Sequence, residues 1–312
     1  MRRLAQLPKE FVEEYLARPR IGLNISRRLD TLYSKAKRGW KHKLLENLIE
    51  VHNRFDLRAL SPEQICDIAS KTRNWVGDMN RPAYKKFRKE ISSVFNFRSA
   101  IDWLRKKKRI HTIFSGLRYC PYCNAETVYA LNINGRSVRS DIDHFFPQSK
   151  YPFLAISLYN WIPGCTRCNR DLKRDRDIDP NKIGMPYRDD VHKGVHFDVI
   201  VNRVEGFWGC ECPDVYTVKA LKESQSILSD RAATFIDYFD TEEVYRKMYA
   251  WEIADLVKRI NEVKSGYSEW LKYFLKGENV NSLIWHDIPD EEDINISRLS
   301  KLRIDLRRQF RL

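Results

Sequence analysis

No apolar run in this chain approaches the ~18 residues that a membrane-spanning helix needs. A membrane protein is therefore not expected. The basic start, Met1 to Pro8, is followed by neither an apolar h-region nor a cleavage site, which argues against a secretory leader. Several catalytic signatures are also missing. There is no Walker A loop, no HExxH, no GxSxG and no GxGxxG, so the familiar nucleotide-hydrolase, zinc-protease, serine-hydrolase and dinucleotide-binding readings have no motif to rest on. Internal repeats and low-complexity segments are absent too. What remains is a soluble, cytosolic chain of 312 residues, 43% hydrophobic and 31% charged. It is long enough for one large domain or two to three small ones.

Acidic residues are in deficit. Lys and Arg number 56 against 42 Asp and Glu, a formal charge of +14. Such a balance concerns partners, not fold, and favours a polyanion such as nucleic acid. The distribution is uneven: Arg81 to Arg118 holds twelve Lys or Arg against two acids, including the run Arg105 to Arg109. Tyr84, Phe87, Phe95, Phe97 and Trp103 are interleaved at helical spacing, which suits core packing better than base stacking.

Cysteine is sparse, seven in all, but four stand in two C-x-x-C pairs, Cys120/Cys123 and Cys165/Cys168. In a reducing compartment that spacing favours a metal over disulfides. Zn²⁺ takes four thiolate or imidazole ligands in a tetrahedron, and two such knuckles supply them. A redox pair, or reduced thiols without a role, are the alternatives. The 41 residues between Cys123 and Cys165 must fold as a unit. Cys66 reads as a small buried hydrophobe. Cys210 and Cys212 are too closely spaced for a knuckle and receive no role.

Helical patterns dominate residues 8–110. A 3.6-residue stripe from Leu29 to Ile49 predicts a helix over about Ser26 to His52. Ser61, Pro62 and Gln64 form a helix-start signature with a capping box. Arg81 to Ile110 reads as one or two more helices. The pattern then changes to a hairpin, Thr127 to Ile142, turning at Asn134-Gly135, a preferred type I′ pair. A short strand is expected over Tyr159 to Pro163, followed by a helix from about Thr166. Val195 to Val201 alternates as a strand with Phe207-Trp208 in its partner. Helix is expected again from Thr217, with a long element over Thr241 to Leu275. An exposed acidic loop over Asp287 to Asp293 and a basic helix from Ser297 to Leu312 close the chain. His192 and His196 are four apart, but Gly194 lies between them, so they read as a loop coincidence and not as a helical metal pair.

Between the Cys pairs stands Asp141-Ile142-Asp143-His144-Phe145-Phe146-Pro147, then Asn160, and Asn169 follows Cys168 directly. Successive residues on a regular strand point to opposite faces, so Asp143 and His144 reach one site only through a twist or bulge at the strand end. This ordered set, with Lys173 one helical turn past Asn169, resembles the zinc-containing form of the HNH endonuclease superfamily, the ββα-metal nucleases. The likeness covers about residues 118–176. The phrasing Ile142-Asp143-His144-Phe145 and Tyr159-Asn160-Trp161-Ile162-Pro163 is similar to HNH proteins of bacterial anti-phage systems, including nucleases of Septu-like and retron-linked modules.

The helical patterns and the Cys spacing, taken with this resemblance, give an α+β fold: a mostly α-helical chain with a central ββα-metal core, braced by a structural zinc on Cys120, Cys123, Cys165 and Cys168. Residues 1–117 would be a basic helical region, 118–180 the core, and 181–312 a C-terminal region with a short hairpin then helices. The resemblance implies His144 as general base, Asp143 and Asn169 as ligands of a catalytic Mg²⁺ or Mn²⁺, and Asn160 as the residue fixing the loop that orients His144. Lys173, Arg167 and Arg170 would contact phosphates. Asp141 is either an outer partner of this site or an exposed strand residue. The expected substrate is DNA. RNA cleavage, a non-catalytic zinc-stabilised binding module and a helical adaptor are the competing readings. With no nucleotide motif in the chain, any nucleotide signal would be sensed by another protein, such as a separate ATPase or regulatory partner.

Overall fold

A helix cannot pass through a backbone φ of +90°, and that is the value at Gly39. The apolar stripe therefore divides into two helices: α2, Ile25–Lys35, and α3, Trp40–Phe55. They pack on each other, burying Leu29 against the side of the stripe that carries Leu44, Leu45 and Leu48. This corrects the single helix expected from periodicity, which survives the break because the turn keeps both apolar faces inward. The computed structural model describes residues 1–18, 24–107, 109–262, 294–295 and 297–310. Among them the fold is a mixture of helices and two-stranded antiparallel sheets. No described helix is long and apolar enough to cross a membrane.

The chain packs as two units. One comprises Arg3–Leu117 and Val128–Asp189; the other comprises Met1–Arg2, Arg118–Thr127 and Asp190–Leu312. Both are discontinuous in sequence.

In the first unit, α1 (Lys9–Leu16) precedes α2 and α3. Helix α4, Pro62–Val76, begins at the capping box: Ser61 Oγ accepts from Gln64 N at 3.3 Å and the Gln64 side chain accepts from Ser61 N at 2.8 Å. Its buried face carries Ile65, Cys66, Ile68, Ala69 and Thr72. The Cys66 thiol rests 3.6 Å from the Met185 thioether, the small-hydrophobe role expected of it. The stretch from Arg81 to Ile110 folds as two helices, α5 (Pro82–Ser92) and α6 (Phe97–Lys106), within the expected range, and a short α7 (Ile110–Ile113) begins at its end. The break falls where the Asn96 side chain accepts from Ser99 N and restarts the chain as α6. Tyr84, Phe87 and Phe95 are buried, and Trp40 meets Tyr84 and Phe87 edge-on.

Strands β1 (Ala130–Ile133) and β2 (Arg136–Arg139) form the hairpin, with φ positive at both Asn134 and Gly135, as a type I′ turn requires. Strand β3, Asp141–His144, pairs antiparallel with β4, Trp161–Gly164. A π-helix, Arg167–Lys173, follows.

In the second unit, a short helix α8 (Val191–Gly194) leads into β5, Val195–Val201, whose partner is β6, Tyr216–Lys222. This overturns two expectations. Phe207 and Trp208 lie in a 3₁₀ turn, Val204–Trp208, and not in the partner strand. Residues 217–222 are strand, not helix: seven cross-strand pairs with β5 outweigh the helix preference of Lys, Ala and Leu. Helices α9 (Ile227–Tyr238), α10 (Thr241–Met248) and α11 (Ala250–Glu262) follow. The expected long element thus breaks at Tyr249, and its stretch beyond 262, like the acidic segment at 287–293, lies outside the described residues. Helix α12, Ser300–Gln309, covers the outer edge of β5. Asp305 accepts from Phe197 N at 2.8 Å, and the Gln309 amide exchanges two bonds with Val199, each 3.0 Å. Side chains thereby satisfy a strand edge that would otherwise stand open.

Candidate metal centre and the polar site that follows it

Each Cys pair sits in a tight turn. In the first, Tyr119 bridges Thr127, Cys120 N donates to Glu126 O at 2.8 Å, and Asn124, at φ +53°, donates its amide to Cys120 O at 2.7 Å. The Tyr245 hydroxyl donates to Cys123 O. In the second, Cys168 N donates toward Cys165 Sγ at 3.4 Å, the N–H···S contact typical of a knuckle at a helix start. All four cysteines are buried, and their sulfurs lie within 4.8 Å of one another. Tetrahedral thiolates around Zn²⁺, at about 2.3 Å each, stand about 3.8 Å apart. The four thiols therefore fit a zinc ion. Among the described residues, no second group of three or more His, Cys, Asp or Glu ligand atoms is gathered in this way.

The polar set is built on β3, the loop after it and the π-helix. The register of β3 with β4 runs unbroken from Asp141↔Gly164 to His144↔Trp161, so no bulge intervenes. Asp143 and His144 nevertheless line the same open cavity of about 260 Å³, together with Gln148, Asn169, Lys173 and Arg174. The cavity lies at the end of the strand, where both faces are within reach.

His144 Nε2 lies 2.9 Å from Ala155 O. A carbonyl only accepts, so Nε2 carries the hydrogen and Nδ1 keeps the lone pair. The same carbonyl accepts from Trp161 Nε1 at 2.8 Å, and the edge of Phe97 packs against the imidazole at 4.3 Å between ring centres. Burial holds the His144 pKa down at about 4, against smaller opposing effects of Ala155 O and Asp143. The ring is therefore neutral at pH 7. Asn160 is wholly buried. Its Oδ1 accepts from Phe146 N at 2.8 Å, and its Nδ2 donates to Phe146 O and Leu154 O. It ties the two ends of the 146–154 loop together, and Ala155 is the next residue along.

Asn169 Nδ2 donates to Asp141 Oδ2 at 3.1 Å. That engages the nitrogen and leaves Oδ1 as the end able to meet a cation. Asp141 also receives a two-pronged Arg170 guanidinium at 2.9 and 2.8 Å. Asp141 is thus a partner of this site.

Lys173 departs most from expectation. Its side chain is 1% exposed, and Nζ donates to Asp143 Oδ1 at 2.9 Å and to His144 O at 2.7 Å. Burial lowers its pKa and Asp143 opposes that shift. The ammonium that the sequence reading assigned to a phosphate is directed inward, holding the carboxylate and the strand end. The physical reason is Asp143 itself: at 5% exposure, a carboxylate needs a buried counter-charge. Arg170 stays exposed on the rim, and Arg167 is half-buried on the same helix. Phe97, Gln148 and the Ala155 carbonyl were missed at the sequence level. Phe97 carried a signal only as one aromatic among five; the other two carried none. No protein family, no curated protein and no solved structure matches this chain.

Proposed function

We propose that this chain is a metal-dependent HNH endonuclease that hydrolyses phosphodiester bonds in DNA, as an effector of bacterial anti-phage defence. One observation carries the reading: a neutral imidazole, a buried carboxylate and an oriented amide, from His144, Asp143 and Asn169, line one open cavity. The residue before Asn169 belongs to the four-cysteine cluster. The defence role draws on the wording around His144 and Asn160 described above.

In this reading His144 is the general base. Its Nε2–H is held by Ala155, so Nδ1 is the nitrogen that removes a proton from the attacking water. Its neutral state at pH 7 makes that lone pair available. Asp143 and Asn169 Oδ1 would hold Mg²⁺ or Mn²⁺, both of which prefer such oxygen ligands. When bound, the ion neutralises charge on the phosphate and steadies the departing 3′ oxygen. Lys173 keeps the Asp143 carboxylate and the His144 backbone in place. Arg170, exposed on the rim, can turn its guanidinium from Asp141 toward a phosphate, which offers the same paired oxygens.

The test incubates the purified chain with plasmid, single-stranded DNA and tRNA, with Mg²⁺, Mn²⁺ or EDTA, beside His144→Ala. The expected result is metal-dependent cleavage of DNA that the variant lacks. Cleavage confined to tRNA would move the substrate to RNA. Binding without any cleavage would make the chain a zinc-stabilised binding module.

A further inference from the structure

The hairpin of β1 and β2 is amphipathic in an inverted sense. Its register places Leu131 opposite Val138 and Ile133 opposite Arg136. Tyr129, bonded to Ser140 through O and N, extends the same face. That face is the open one: Tyr129 is 41% exposed, Leu131 53%, Ile133 50% and Val138 38%. The polar face, with Asn132, Ser137 and Arg139, includes the half-covered residues Ala130 and Arg139. A two-stranded ribbon has little stability alone, and turning its apolar side to water adds a cost. Such a face points to a partner.

Charge selects the class of partner. From Val128 to Ser140 the chain has two arginines, Arg136 and Arg139, and no acidic residue. Burial lowers the Arg139 pKa; the nearby Arg105 acts in the same direction and Asp141 opposes it. Arg136 shares the apolar face through its pairing with Ile133, and Arg139 lies on the opposite face. Positive charge around an apolar ribbon suits an anionic polymer with flat apolar faces, which is nucleic acid. Arg139 is separated from β3 only by Ser140, so the ribbon leads directly into the strand that carries Asp143 and His144. Nine extended residues from His144 to the turn span at most about 30 Å.

We infer that the β1–β2 hairpin is a nucleic-acid-binding ribbon whose face of Tyr129, Leu131, Ile133 and Val138 inserts against the bases while Arg136 and Arg139 hold the flanking phosphates. Aliphatic wedges of this kind unstack a base step, and arginine beside them reads the groove. The inference rests on the nuclease reading only for where the ribbon lies relative to the bond cut: the unstacked step falls within about 30 Å, some nine base steps, of it.

The experiment uses the full chain with His144→Ala, so that the substrate survives. Fluorescence anisotropy measures affinity for labelled duplex, and 2-aminopurine placed at successive steps reports unstacking. Leu131→Ser/Ile133→Ser should weaken binding roughly tenfold, as expected for lost base contacts, and should abolish the 2-aminopurine signal. Its thermal midpoint should hold, since both side chains are exposed. Arg136→Gln, which leaves the apolar face intact, should keep that signal and reduce the salt dependence of binding by about one phosphate. Wild-type affinity and unstacking in the serine variant would overturn the proposal and leave the face to a protein partner. The same holds if the chain binds no nucleic acid at all. Ribbon-dependent binding by a chain that cuts nothing would uphold this proposal and overturn the nuclease reading. Cleavage with no dependence of binding on the ribbon would do the reverse.

Discussion

Lys173 and Asp143 form the most consequential residue pair in the candidate site. Both are nearly sealed from water, so each is the other's counter-charge. Removing one partner of such a pair typically costs about 3–5 kcal/mol, because the remaining charge stays buried and alone. Lys173→Met should therefore lower unfolding stability by about that much in urea titration. Asp143→Asn/Lys173→Met should lose less than the sum of the single changes. A loss in Lys173→Met below about 1 kcal/mol would mean that the Asp143 carboxylate does not depend on this ammonium as its counter-charge. In the sequence, Lys173 is marked by its place one helical turn past Asn169, but nothing there shows which way its ammonium points. Its inward direction depends on a carboxylate thirty positions earlier.

Helix starts are the elements best determined by local chemistry. The α4 capping box satisfies two backbone donors with two side chains, and replacing such a cap usually costs about 1 kcal/mol. Ser61→Ala should lower the urea midpoint accordingly. Adding Gln64→Ala should cost little more, since the two bonds act as one unit. Full additivity of the two substitutions would show that the reciprocal box is not the stabilising arrangement. Elements that depend on distant partners behave differently. Strand β6 contains residues that favour a helix, and its extended state comes from pairing with β5 across a fifteen-residue span. The split of α2 from α3 was available in Gly39, but the continuous apolar stripe concealed it.

For the whole molecule the cysteine cluster is the largest single lever. Four buried thiols within 4.8 Å are unfavourable to leave as bare thiolates, and a structural zinc contributes its binding energy to folding. Metal analysis of the purified chain should find a single zinc per chain. Cys168→Ser should lower both that content and the thermal midpoint, and a strong chelator should reproduce the effect on wild-type protein. Folded protein devoid of zinc, with a normal midpoint, would remove the cluster from the metal sites. A chain this basic should also lose nucleic-acid affinity steeply as salt rises.

By itself the sequence determined what depends on neighbours: the Ser61 cap, the Asn134-Gly135 turn, and the two Cys turns, each set by a few adjacent residues. It also marked His144, Asn160 and Asn169 through their order around those turns. Only the tertiary structure decided that Lys173 turns inward to Asp143, that Asp141 orients Asn169, that Phe97 packs on His144, and that the hairpin presents its apolar face outward. Each of these follows from which groups burial brings together. A side chain's share of water and counter-charge is set by distant parts of the chain, and no local pattern encodes it.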